Sequence, residues 1–365
     1  MTNRLDTLIH QLKQHNLDSA FVTSKTNVYY LSQYYTDPHE RLVAVYVSQS
    51  HDPVLIVPAM EENDAKEAGW SFDIISYHDH ENVWELFAHY LKKANAIPQT
   101  IGVEHNHFTL DRYETLTQTF PSIQVTDITH MLANMRVIKN QEEYHLLKQA
   151  AELADFGVKT GVEAIKEGVS ELEIMATVEY ELKKQGIQEM AFATTVLSGP
   201  KTASPHGIPG QRTIQKGDFV LFDLGVVYEG YCSDITRTVV FHTASYEQKQ
   251  IYETVLAAEE KAIEASNNEV PVGKIDRIAR GHIEQAGYGQ YFTHRIGHGL
   301  GIDVHEYPSM HSDNELPLQK GMCFTIEPGI YVPNVGGVRI EDMVFMTKEG
   351  AMPLTAYPKK LQIID

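Results

Sequence analysis

At 365 residues, 42% of them hydrophobic, the chain is too long for one small core and long enough to build two. A formal charge of −19 excludes the basic surface that nucleic-acid binding rests on, and no apolar run approaches the ~20 residues that cross a bilayer. Two cysteines, Cys232 and Cys323, make no disulfide framework; with no signal-peptide pattern over the first six residues, a cytoplasmic protein is expected.

Leu5, Leu8, Ile9 and Leu12 lie on one stripe and predict a helix over 4–16. Apolar runs at 20–22, 28–31, 42–47, 54–57 and 100–103 predict short strands, and 61–68 and 83–94 predict helices. This mixture predicts an α/β domain over 1–135. Asn140 followed by Glu143 is a capping box that opens a long helix to about 164, so a second domain is placed at 136–365. It alternates predicted helices (171–185, 246–266, 274–286) with short strands, and no tandem repeat stands out. The pairs His78 and His80, and His105 and His107, fall in polar surroundings of the first domain and read as surface residues.

Four segments of the second domain set charged or histidine side chains inside apolar runs. Asp223 lies in 219–225 and Asp234 in 232–238. A carboxylate within a buried strand costs several kcal/mol unless it is paired or holds a metal. The two runs are close enough for a hairpin. A turn centred on Tyr228-Glu229 or Glu229-Gly230 has an even length, and the odd separation of the two acids then puts both on one face. His298 sits among Gly297, Gly299 and Gly301, where missing side chains let backbone and ligand approach closely. Glu327 and Glu341 lie symmetrically about Asn334, and a hairpin with an odd loop, bulged at Gly336-Gly337, aligns them as well.

Asp223, Asp234, His298, Glu327 and Glu341 form an oxygen-rich set with one imidazole. Such a set suits Mn²⁺, with Co²⁺ or Zn²⁺ as alternatives. Four carboxylates able to bridge suit two divalent ions roughly 3.5–4 Å apart. Singly, each acid reads as a salt-bridged or capping group; the five together do not. No Gly-x-Ser-x-Gly, Walker loop or His-Glu-x-x-His occurs, so covalent and zincin mechanisms lack support.

These blocks resemble those of the M24 "pita-bread" metallopeptidases, the family of methionine aminopeptidase, aminopeptidase P and prolidase. The likeness covers the whole chain and implies an α/β (α+β) architecture: an N-terminal creatinase/prolidase-like α/β domain and a C-terminal pita-bread domain. Within the family the chain is most similar to the Xaa-Pro dipeptidases (prolidases) of Gram-positive bacteria, including Thr36-Asp37-Pro38-His39-Glu40-Arg41. The resemblance implies hydrolysis of the Xaa-Pro bond of dipeptides at two metal ions. Asp234 and Glu341 are expected to bridge the ions, Asp223 to bind one, and His298 and Glu327 the other.

The same resemblance makes Glu327 the proton shuttle, and His206 and His305 the histidines that contact the substrate on opposite sides. Arg339 is expected to orient the carboxylates. Many prolidases carry an arginine after the block 304–308; here that position is Ser309. Arg295 is the candidate clamp for the substrate carboxylate, turned to the face of His298 by a bulge at Gly297. Arg41 is the second candidate, if its loop reaches a neighbouring subunit. The expected partners are a proline-containing dipeptide or short peptide and a second copy in a homodimer. Aminopeptidase P, acting on longer peptides, is the alternative. A non-catalytic peptide-binding relative and the metal-free creatinase are disfavoured because all five ligand positions are filled.

Overall fold

The computed structural model describes residues 2–365, with side chains from Arg4 onward. The chain divides into two compact units, Met1–Met135 and Arg136–Asp365. The first runs α1 (Thr2–Gln14), β1 (Ser19–Val22), α2 (Lys25–Ser32), β2 (Ala44–Ser48), β3 (Val54–Pro58), α3 (Glu62–Glu67), β4 (Asp73–Tyr77), α4 (Val83–Lys93), β5 (Thr100–Val103), α5 (Leu110–Thr119) and β6 (Gln124–Asp127), and its boundary falls inside α6 (Thr129–Val137). One sheet takes the strands in the order β4-β3-β2-β1-β5-β6. Strand β2 is antiparallel to both neighbours and every other pair is parallel. Phe21, Tyr46, Ile56, Phe87 and Leu116 share its core. All four histidines of the His-x-His pairs are exposed.

The strand expected at 28–31 is instead part of α2. Ser24 caps this helix by accepting from the Asn27 amide. The buried Glu104 carboxylate accepts from the Thr23 and Ser24 amides at 2.7 and 2.9 Å. A carboxylate held 80 residues away at the start of the helix outweighs the β-branched and aromatic character of the run.

The second unit opens with α7 (Gln141–Glu163), whose capping box joins Asn140 and Glu143 reciprocally at 2.9 Å in both directions. There follow α8 (Glu171–Lys184), β7 (Glu189–Met190), β8 (Thr195–Ser198), β9 (Phe219–Leu224), β10 (Val226–Tyr228), β11 (Tyr231–Cys232) and β12 (Ile235–Phe241). A second pair of helices, α9 (Tyr246–Ala265) and α10 (Val272–Gln285), precedes β13 (Gly297–Gly299), β14 (Glu306–Met310), β15 (Cys323–Ile326), β16 (Gly329–Val332), β17 (Gly336–Arg339), β18 (Asp342–Thr347), β19 (Gly350–Pro353) and β20 (Ile363–Ile364). Two helices followed by an interrupted hairpin thus occur twice. Each pair packs its own core, with Val158 and Val178 against Phe222, and Ile251 and Ile275 against Phe324. No described helix is long and apolar enough to cross a membrane.

The two interrupted hairpins build the site. In the first, β9 and β12 pair antiparallel, with Asp223 opposite Thr236 and Leu224 opposite Ile235. Strands β10 and β11 carry the same register on to Tyr228 opposite Tyr231. The turn is Glu229-Gly230, both at positive φ (46° and 78°), the geometry that matches strand twist in two-residue hairpins. Asp234 therefore lies diagonal to Asp223 on the same face. The ladder breaks at Gly225, where an added Cβ would sit 1.9 Å from the Ser233 carbonyl oxygen.

The second hairpin pairs β15 with β18, Ile326 opposite Asp342, and continues in register through β16 and β17, Gly329 opposite Arg339. Its loop is residues 333–335, with Asn334 at φ 67°. The bulge expected at Gly336-Gly337 is absent: both glycines pair normally, with Val332 and Tyr331. Their bare surface instead admits residue Thr202, whose carbonyl oxygen is 2.2 Å from where a Gly337 Cβ would be. The break falls at Glu327-Pro328 and Ile340-Glu341. There the amides change partners, Glu341 donating to the Thr236 carbonyl (3.1 Å) and Glu327 to that of Ile296 (2.8 Å).

Candidate metal centre

The acids meet where the two hairpins break. Asp234, His298 and Glu341 are buried and each offers a donor atom within 4.8 Å of the others. His298 Nε2 is 3.7 Å from Asp234 Oδ2 and 3.4 Å from Glu327 Oε1. Asp223 is turned toward Arg339, whose Nη2 donates to its Oδ2. Nine of the site residues singled out in the sequence, namely His206, Asp223, Asp234, Arg295, His298, His305, Glu327, Arg339 and Glu341, line one cavity of about 980 Å³. Arg41 lies in the other unit, paired with Asp79 at 2.9 Å.

His298 is aimed by its neighbours. Its Nδ1 is 3.1 Å from the Gly299 carbonyl, which only accepts, so Nδ1 bears the hydrogen and the Nε2 lone pair faces the acids. Burial, with His305 nearby, pushes its pKa down to about 3, so the ring stays neutral. The acids move the other way. Burial and then the mutual charge of the cluster hold Asp234 and Glu341 well above the usual carboxylate range. Burial pushes Glu327 up to about 7 against the pull of Arg339. So many carboxylates resist joint ionisation until a cation joins them. A hard oxygen set with one imidazole lone pair directed into it fits a divalent metal ion.

Several supporting residues carry no sequence signal. Thr236 Oγ1 donates to Glu341 Oε2 at 2.7 Å and accepts from Arg339 Nε at 3.1 Å. Arg339 Nη1 donates to the Tyr331 hydroxyl at 2.9 Å. His294 Nδ1 donates to the Arg295 carbonyl (2.8 Å), leaving Nε2 to accept from Tyr331 at 2.9 Å. Burial holds His294 near a pKa of about 4, consistent with that neutral form. Arg237, 1% exposed, binds the Glu341 carbonyl and the Asp342 carboxylate. Thr236, Arg237 and Tyr331 stand inside the blocks already singled out, but nothing in a strand pattern marks them as holders of a neighbour.

The His305 ring meets that of His298 edge-on at 4.3 Å, and burial lowers its pKa. The Arg295 guanidinium donates to Ser309 Oγ at 2.8 Å, so the serine that replaces the expected arginine supports another one. The bulge that reorients this strand lies between His298 and Gly299 rather than at Gly297. Gly297 is needed for close approach, since its Cβ would fall 2.0 Å from the Thr325 carbonyl oxygen.

Fold and centre together define a metallopeptidase. The chain belongs to metallopeptidase family M24, whose pattern spans residues 145–348, and the creatinase/prolidase N-terminal domain matches residues 4–138. It is 52% identical to the Bacillus subtilis protein named "Putative dipeptidase YkvY", over 99% of this chain and 100% of that one. Among solved structures, the prolidase of Pyrococcus horikoshii superposes with a TM-score of 0.91 at 35% identity, covering 99% of this chain and 100% of its own. The Xaa-Pro dipeptidase of Bacillus anthracis gives 0.93 at 30%, covering 99% of each chain.

Proposed function

We propose that this metallopeptidase is an Xaa-Pro dipeptidase working at two divalent ions, Mn²⁺ first, held by Asp223, Asp234, His298, Glu327 and Glu341. The observation that carries the proposal is the nest of buried carboxylates around the neutral His298, opening into a cavity that also holds His206, His305 and Arg295. Bound there, the ions supply Lewis acidity and bring a water's pKa toward neutrality. Asp234 and Glu341 would serve both ions, Asp223 one, and His298 and Glu327 the other. Arg339 and Thr236 fix the carboxylates of Asp223 and Glu341. Glu327 takes a proton from the attacking water and delivers it to the proline nitrogen. His206 and His305 hold the carbonyl of the scissile bond from opposite sides.

Arg295, steadied by Ser309, takes the carboxylate that follows proline. Cytoplasmic residence is part of the proposal and is supported by the two free, buried cysteines. A homodimer is proposed as the assembly, to be read by light scattering. Domain limits of 1–135 and 136–365 are proposed on the clustering of contacts into two units.

Specificity is the point to test, because an X-Pro aminopeptidase of Thermotoga maritima shares the fold at a TM-score of 0.87 and 29% identity, covering 96% of this chain and 98% of its own. With manganese added, Xaa-Pro dipeptides should turn over faster than Xaa-Pro-Yaa tripeptides. Arg295→Ala should raise KM for dipeptides about 10- to 150-fold, the worth of a charged hydrogen bond of ~1.5–3 kcal/mol, and should spare tripeptides. Equal losses make Arg295 structural. A wild type that prefers tripeptides is an aminopeptidase P.

A further inference from the structure

The cavity is lined also by residues 204–209, in the segment between β8 and β9 that bears His206. His206 is exposed, and among the described residues its ring makes no hydrogen bond. It lies close enough to His294 and His305 to act on both electrostatically. Its position is therefore set by the loop that bears it, anchored at two feet and at Thr202. Both feet end on one side chain. Glu171, the first residue of α8, is fully buried. Its Oε1 accepts from the amide and the hydroxyl of Ser198, each at 2.8 Å. Its Oε2 accepts from the Gly210 amide at 2.9 Å and from Lys201 Nζ at 2.5 Å. A buried carboxylate with four donors is fully compensated and rigid, and Ser198 and Gly210 mark where the loop leaves and rejoins the fold.

Neighbouring contacts agree. The Leu172 amide donates to the Gly210 carbonyl and that of Glu171 to the Arg212 carbonyl, at 3.2 and 3.1 Å. Arg212 donates to Ser198 Oγ at 2.6 Å and grips Asp218. Thr202, within the loop, accepts from the Gly337 amide at 2.7 Å, so the loop is referenced to β17, which ends in Arg339. We propose that Glu171 is a positioning residue for substrate binding: its carboxylate clamps both feet of the loop and so holds His206 over the metal centre. This rests on the reading of His206 as a substrate-binding group. Glu171 touches none of the five proposed ligands, so its effect should spare metal content.

A double-mutant cycle tests this, with kcat, KM and bound manganese measured on the full chain. Glu171→Gln should keep the metal and lose about 10- to 100-fold in kcat/KM, the usual cost of removing a supporting hydrogen-bond partner. In a His206→Ala background the same change should cost less than about twofold, the margin within which effects count as uncoupled. An equal loss in both backgrounds overturns the proposal and leaves Glu171 a merely structural acid. Hydrogen exchange supplies the second readout, since the Ser198 and Gly210 amides should exchange faster in Glu171→Gln. If His206→Ala alone retains full turnover, the reading of His206 has failed; unchanged protection of the two amides refutes the clamp itself. Should Glu171→Gln not fold, Lys201→Met removes one of the four donors and must show a smaller loss that again vanishes without His206.

Discussion

Four carboxylates around a neutral imidazole give the metal-free protein a stability that depends on pH in an unusual sense. Glu327 is raised from its ordinary 4.5 to about 7, and Asp234 and Glu341 shift the same way, through burial first. The folded state then holds protons that the unfolded chain has already released. For Glu327 this stability is complete below about pH 4.5 and is lost as the pH rises through about 7; Asp234 and Glu341 add to it in the same direction. A metal ion held by the deprotonated set, as proposed, restores that loss, and its binding releases protons. The gap in melting temperature between manganese-loaded and chelated protein should widen from about pH 5 to about pH 8. A gap that narrows over this range would show that the ion does not sit among these acids. The donors themselves are legible in the sequence, because a charge inside an apolar run demands an explanation. Thr236, Tyr331 and His294 are not, because a neutral side chain in a strand demands none. Their partners are also remote in the chain: Thr236 meets Glu341 across 105 residues.

Hairpin parity can be read from a sequence where a two-residue turn fixes it. Glu229-Gly230 places Asp223 and Asp234 on one face, and the three-residue loop about Asn334 brings Glu327 and Glu341 to the same break. Irregularities are less legible, because they answer to a third segment of the chain. Gly336 and Gly337 make room for Thr202, and the true bulge beside His298 concerns the pairing with β14. Strand β6 leaves no apolar trace, since three of its four residues are exposed and it exists by pairing with β5. At this scale the break at Gly225 is the vulnerable joint. Gly225→Ala would drive a Cβ into the Ser233 backbone, and overpacking of this kind costs about 1–3 kcal/mol. A lower melting temperature is expected together with weaker manganese binding, read by calorimetry, because Asp223 and Asp234 flank the joint. Unchanged metal affinity in a destabilised variant would mean that the pair is positioned by something else.

At the scale of the whole chain, the last residues are tied back to the centre. Lys359 binds Glu259 at 2.9 and 3.0 Å and Asp342 at 2.8 Å, and Arg237 binds Asp342 and the Tyr357 carbonyl. Glu259 is raised to about 8 by burial and by Asp342, so it relies on that lysine. Lys359→Met should destabilise the protein by about 1–3 kcal/mol, the cost of unsatisfied buried acceptors, because Glu259 can take up a proton and Asp342 keeps Arg237. Denaturant unfolding measures it, and a loss below 1 kcal/mol would mean that water replaces the lysine. This anchoring is not legible in the sequence, since Lys359 sits in a segment without periodicity.

The distribution of donors along the chain also sets an order of events in time. Asp223 and Asp234 belong to one local hairpin, whereas Glu341 meets that hairpin at a bridge to Thr236, 105 residues away. Closing so long a loop is slow compared with closing a hairpin. Synthesis at about 5–20 residues per second puts seconds between the emergence of the first pair and that of Glu341. A nascent chain can shape the aspartate hairpin but has no nest to offer an ion. On the proposed ligand set, metal capture therefore waits for Glu341.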